Sequence, residues 1–119
     1  IRSCLVGSEM CIRDRDKSSM TKKLAKEYID AANRNNILVI PVGLAFAEIN
    51  KNFTDINLYT KDKRHPSKLG TYLAACVIFS SVYKKTPEGN PFLFGLDPNK
   101  AKIIQQVAWQ VSSDFYTGK

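Results

Sequence analysis

The sequence contains one histidine, three cysteines and one tryptophan among 119 residues. A single imidazole with scattered carboxylates lacks the ligand spacing of a zinc site, so the sequence predicts no metal site. No apolar run approaches the roughly eighteen residues that a membrane-spanning helix requires. We therefore expect at most one globular domain, without a membrane span.

The first fifteen residues show neither helical nor strand periodicity. Residues 5–15, LVGSEMCIRDR, are identical, residue for residue, to the translation of a transposase-type sequencing adapter. We interpret residues 1–15 as a non-native, disordered, adapter-derived segment joined to a truncated reading frame, and exclude them from fold reasoning. A natural disordered N-terminus is the alternative. Ser8, which lies in this segment, is accordingly not a candidate nucleophile.

Excluding that segment changes the composition of the chain. Residues 16–119 keep fifteen Lys and Arg against nine Asp and Glu, a net charge of +6. Cys76 is then the one remaining cysteine, and its position inside an apolar run is typical of a small buried side chain rather than a disulfide or ligand. A secretory signal could lie upstream of the junction, so localisation is undetermined, with secretion or a periplasmic location possible.

Helices are predicted where apolar residues recur at three- and four-residue spacing. Ser67 is a plausible N-cap for the second predicted helix, over residues 69–83. Asp97 followed by Pro98 forms an N-cap and N1 pair for the last predicted helix. The second helix is apolar almost all round and should be heavily buried. One or two helical turns and a brief extended piece are expected between the first two helices. The predicted helices span residues 21–33, 69–83 and 97 onward, the short turns follow Gly43 over residues 44–52, and the extended piece covers residues 56–59.

Residues 37–42, ILVIPV, form a short β-rich run without polar alternation. This pattern is typical of a strand that is covered on both faces, as in the parallel sheet of an α/β protein. A helix followed by a buried strand is half of a βαβ unit, and the strand that should precede it is absent from the sequence. The run therefore predicts an α/β fold of which part is missing.

The one histidine, His65, lies in a polar loop between that strand and the buried helix, where α/β enzymes place reactive groups. Asp62, three residues earlier, can reach Nδ1 of His65 and leave Nε2 free to take a proton from a hydroxyl nucleophile. General-base assistance of this kind contributes roughly 10²- to 10⁴-fold in rate. The alternative is a solvated or capping pair on the surface, because the D-x-x-H pattern alone is short.

A longer stretch around this pair resembles the C-terminal part of the SGNH (GDSL-type) hydrolase family. The matching pieces, which follow the family order and spacing, are Val39-Ile40-Pro41-Val42-Gly43, Leu58-Tyr59, Asp62-x-x-His65-Pro66-Ser67 and Gly70-Thr71-Tyr72-Leu73-Ala74-Ala75. The resemblance covers about residues 23–89. Lys63 and Arg64 depart from it, because smaller residues such as glycine are expected at those two places.

The resemblance implies an incomplete three-layer α/β/α (flavodoxin-like) sandwich, mostly helical in this chain. It implies a serine esterase that hydrolyses acyl esters, of carbohydrates or lipids, without a cofactor. His65 would be the general base and acid and Asp62 its orienting residue. The nucleophilic serine and the oxyanion hole would lie upstream, so this chain alone is expected to be inactive. The partner is then a small-molecule or carbohydrate ester, with no nucleic acid.

Two other functions remain open. Lys61, Lys63, Arg64 and Lys68 place four cations within eight residues, which would suit a basic module that binds anions or nucleic acid. No aromatic platform accompanies these cations, because Tyr72 is expected to face the core. A non-catalytic scaffold that keeps the fold without the chemistry is the third hypothesis. The sequence does not determine the oligomeric state.

Overall fold

A computed structural model describes residues 18–118, with side chains from residue 22 onward. The predicted adapter-derived segment, residues 1–15, lies outside the described residues. Four helices follow one another along the described chain: α1 (Ser18–Asn35), α2 (Val42–Asn52), α3 (Lys68–Tyr83) and α4 (Pro98–Thr117). None of these helices is long and apolar enough to cross a membrane.

The predicted helix boundaries at Ser67 and Asp97 are confirmed. The Ser67 hydroxyl accepts a hydrogen bond from Gly70 N at the start of α3, and the Asp97 carboxylate accepts one from Lys100 N at the start of α4. Each side chain thereby satisfies an amide that has no partner within the helix. Helix α1 ends where Asn36 adopts a left-handed conformation, with Ile37 N bonded to the carbonyl of Ala32. This ending is a Schellman-type cap.

The hydrophobic core lies between the last three helices. Helix α3 packs most extensively on α4, and α2 closes the other side, while α1 contacts α2. Ile49, Leu58, Leu73 and Ile104 are completely buried at the centre. Leu58 belongs to the segment between α2 and α3, so this connection is part of the core and not only a surface loop. Buried Ile56 and Leu58 alternate with exposed Asn57, as in the extended piece that the sequence predicts.

The prediction of an α/β fold is wrong for this chain. The described residues form helices without any strand or sheet, and so not the three-layer α/β/α, flavodoxin-like sandwich. Residues 37–41 are irregular, and Val42 already begins α2. A buried parallel strand requires neighbouring strands to pair with its backbone. Nothing in the described chain supplies them, and Ile37 and Leu38 are 59% and 45% exposed rather than buried.

Helix α3 is less buried than its composition predicts. Leu73, Cys76 and Val77 face the core, as expected for Cys76, but Val82 and Tyr83 at the end of the helix are 52% and 64% exposed. Apolar composition alone does not determine which side of a helix is covered, because coverage requires a second element on each face. Among the described residues, the neighbours of α3 leave Val82 and Tyr83 more than half exposed.

Candidate catalytic pair

Asp62 and His65 lie in a tight loop between α2 and α3. Thr60 N donates to the carbonyl of His65 at 2.8 Å, and Lys63 N donates to the carbonyl of Thr60 at 3.0 Å. Tyr59 and Pro66 form an isolated antiparallel bridge at the base of the loop. The loop is therefore a short hairpin-like turn with its own backbone hydrogen bonds.

The base of this loop is fixed to the core by its contact with α3. Ser67 N donates to the carbonyl of Leu58 at 2.8 Å, and the Ser67 hydroxyl donates to the carbonyl of Asn57 at 2.8 Å. Gly70 lies so close to this backbone that a Cβ atom there would be 2.4 Å from the carbonyl oxygen of Leu58. Glycine is therefore required at position 70 for α3 to approach the segment that carries the pair.

The structure brings the two predicted site residues into contact. His65 Nδ1 lies 2.6 Å from Asp62 Oδ2, and the side chains are 73% and 48% exposed, respectively. Because an ionised carboxylate only accepts hydrogen bonds, Nδ1 carries the hydrogen and Nε2 of the neutral ring is an acceptor. Nε2 makes no hydrogen bond within the described part of the chain.

The second carboxylate oxygen of Asp62 holds the turn in place. Oδ1 accepts from the Thr60 hydroxyl at 2.5 Å, from Arg64 N at 2.9 Å and from His65 N at 3.1 Å. Hydrogen bonds to the ionised carboxylate hold the pKa of Asp62 well below its usual range. The largest cause is the bond from the Thr60 hydroxyl, followed by those from the Arg64 amide and from the His65 ring to Oδ2. Asp62 is therefore ionised at any physiological pH.

This lowered pKa predicts how the loop responds to acid. The ionised Asp62 carboxylate stabilises the folded loop at pH values above the pKa that it has in the unfolded chain. This stabilisation is lost as the pH falls through the lower pKa that it has in the folded chain. We expect the carboxyl-carbon resonance of Asp62 to stay that of an ionised carboxylate from pH 7 to about pH 3. Thr60→Val, which removes the largest cause, should raise the Asp62 midpoint. The midpoint is measured by NMR of the Asp62 carboxyl carbon. A wild-type midpoint at or above the usual aspartate pKa of 3.8 would contradict this assignment.

Sequence reasoning missed the roles of Thr60 and Gly70 and the second role of Ser67. The T-x-D spacing of Thr60 and Asp62 is a signal that could have indicated a hydroxyl donor to the carboxylate. The requirement for glycine at position 70 depends on a contact with Leu58 and has no local signal. The candidate nucleophile and oxyanion donors predicted upstream lie outside the described residues. No group of three His, Cys, Asp or Glu side chains that could hold a metal occurs in residues 18–118.

A groove elsewhere on the surface does not include the pair. It lies between the loop after α3 and the first turns of α4, and its polar lining includes Glu88, Asn90, Lys102 and Gln105. The Gln105 side chain is buried there and bonds to Gly89 N, to the carbonyl of Asn90 and to the Tyr72 hydroxyl. This residue is fully engaged in holding the loop, so the groove offers mainly exposed surface side chains.

Comparison with known proteins gives no independent assignment. No protein-family model, no curated protein and no solved structure matches this chain. The geometry of the pair is therefore the basis of the functional proposal.

Proposed function

We propose that the Asp62–His65 pair is the proton-transfer part of an SGNH-type serine ester hydrolase. The observation that carries this proposal is the 2.6 Å contact between Nδ1 of His65 and the Asp62 carboxylate. It fixes the tautomer in which Nε2 can accept a proton, and the exposure of the ring leaves Nε2 accessible to a nucleophile and a substrate.

Acylation would begin when a serine hydroxyl attacks the carbonyl carbon of an ester. His65 Nε2 takes the hydroxyl proton as the new C–O bond forms, and Asp62 stabilises the resulting imidazolium through Nδ1. The tetrahedral intermediate then collapses with cleavage of the bond to the alcohol. His65 returns its proton to the departing alkoxide, which leaves the acyl group on the serine.

Deacylation uses the same pair in the second half of the cycle. Water attacks the acyl-serine carbonyl while His65 Nε2 accepts one proton from it. Collapse of this second intermediate releases the carboxylic acid, and the proton on His65 passes to the serine oxygen. Both steps require the imidazole to keep one orientation, which the hydrogen bonds of Asp62 to the loop backbone provide.

The nucleophile and the oxyanion hole are assigned in this proposal to residues outside the described chain. The support for this assignment is that no described hydroxyl bonds to Nε2 of His65. The acyl ester substrate, of a carbohydrate or a lipid, follows from the resemblance alone. A non-catalytic scaffold would have the same pair but would bind no ester next to it.

The 119-residue chain by itself should show no enzymatic turnover of p-nitrophenyl acetate. An imidazole without a serine beside it reacts with this ester only as a free imidazole does, so we expect a rate of the same order as that of an equal concentration of N-acetylhistidine methylamide. The rate should increase linearly with ester concentration, and His65→Ala should remove it. Asp55→Asn, which changes an exposed acid between α2 and the loop, is the control. Saturable, His65-dependent turnover far above the imidazole reference would show that the chain contains its own nucleophile.

A further inference from the structure

The loop that carries the pair also carries a dense group of cations. Lys61, Lys63, Arg64 and Lys68 are all exposed and lie within eight residues of chain, on both sides of His65. We call these four residues the loop cations. They flank His65 in the sequence, and a substrate of the proposed esterase would lie against His65.

Among the described residues, the loop cations have no carboxylate partners. No ion pair involves any of them within the part of the chain that the structure describes. The carboxylate nearest to them in sequence, Asp62, is already bonded to Thr60, to two backbone amides and to the His65 ring. Like charges held close together repel one another, and this repulsion is relieved when an anion binds between them.

Two of the loop cations are also in unfavourable places. Lys63 has φ of +59°, a left-handed conformation that strongly favours glycine over a long side chain. Lys68 is the first residue of α3, at the positive end of the helix dipole, where a cation is disfavoured. Its ammonium group lies 5.0 Å from the ring centroid of Phe94, which belongs to the segment between α3 and α4. A lysine kept in a left-handed backbone conformation points to a function of its side chain.

We infer that the ester processed by the Asp62–His65 pair carries a negatively charged group near the scissile bond. This inference rests on the proposed function and names the class of its substrate. A carboxylate, sulfate or phosphate on the alcohol or the acyl part would bind the loop cations while the ester carbonyl lies against His65. The cations then select among esters, since a neutral ester of the same size gains nothing from them.

The test compares two esters that differ by one charge. Monomethyl succinate has one methyl ester and one free carboxylate, whereas dimethyl succinate is its neutral counterpart. Each is titrated at constant, low ionic strength into the 15N-labelled full chain, and the amide resonances of residues 60–68 are followed. We expect monomethyl succinate to bind at least about fivefold more tightly than dimethyl succinate, with binding that weakens as salt is added. Methyl phosphate and methyl sulfate, titrated in the same way, distinguish phosphate and sulfate from carboxylate as the preferred anion.

Variants assign the effect to the loop. Lys63→Gly combined with Arg64→Ala removes two cations and also relieves the backbone at position 63, so the fold should be retained. We expect it to weaken binding of monomethyl succinate about fivefold. Lys22→Ala combined with Lys23→Ala removes the same charge from exposed positions on α1 and should leave the affinity unchanged.

Three results would overturn the inference. They are equal affinity for the two succinate esters, an equal loss of affinity in the α1 control variant, and resonance changes outside residues 60–68 only. None of these results bears on the hydrogen bond between Asp62 and His65. If the anionic ester binds at the loop but His65 proves dispensable for turnover when the nucleophile is present, the proposed function fails and the anion site stands.

Discussion

Replacing His65 with alanine is expected to lower kcat by about 10⁴- to 10⁶-fold in a protein that also carries the nucleophilic serine. Without the imidazole, the serine hydroxyl must lose its proton to water, and the departing alkoxide has no proton donor. KM should change little, because the proton transfer that His65 performs stabilises the transition state and not the bound ester. The measurement is the steady-state hydrolysis of an acyl ester over a range of concentrations.

Asp62→Asn separates orientation from proton transfer. The amide can still contact Nδ1 but cannot stabilise an imidazolium or fix the same tautomer, so a loss of about 10⁴-fold in kcat is expected. Asp55→Asn serves as the matched control, since it removes an exposed acid that forms no hydrogen bond through its side chain in the described structure.

Activity of the His65→Ala variant within tenfold of the wild type would remove His65 from the mechanism.

Replacing Gly70 with alanine is expected to lower the free energy of unfolding by about 1–3 kcal/mol. The same change in an ordinary helix increases stability, because alanine has a higher helix propensity than glycine by roughly 1 kcal/mol. The sign reverses here since the new Cβ would lie 2.4 Å from the carbonyl oxygen of Leu58, which is backbone and cannot rotate away. Helix α3 must therefore move away from the segment that supports the Asp62–His65 loop.

Chemical denaturation and amide resonances together measure this effect. Thr71→Ala is the control, because Thr71 is exposed in the same helical turn and its change should alter stability by less than about 0.5 kcal/mol. In Gly70→Ala, the Arg64 and His65 amides should shift because their loop loses its support. A Gly70→Ala protein as stable as the wild type would show that α3 does not approach Leu58 closely.

Local signals in the sequence predicted the helices well and the sheet badly. The caps at Ser67 and Asp97 involve side chains and amides three residues apart, so the residues that determine them are visible together in the sequence. The run at residues 37–42 has the composition of a buried strand, but a strand also depends on distant partners that composition does not reveal. Its first two residues are instead exposed, and its last residue begins α2.

The same distinction applies to the candidate site. The contact between Asp62 and His65 spans three residues and follows from their spacing in a turn. The supports of that contact were not visible in advance, because Thr60 acts through a turn geometry and Gly70 through its approach to Leu58. The catalytic role of the pair stays a prediction until turnover is measured with the nucleophile present.

The Tyr116 hydroxyl donates to the carbonyl of Val39 at 2.5 Å, across 77 positions of the chain. Helix α4, which ends at Thr117, is also the main packing partner of α3. During synthesis, α3 therefore leaves the ribosome before α4, the helix against which it packs most extensively. Until α4 has formed, the apolar face of α3 lacks its main cover and is prone to aggregation.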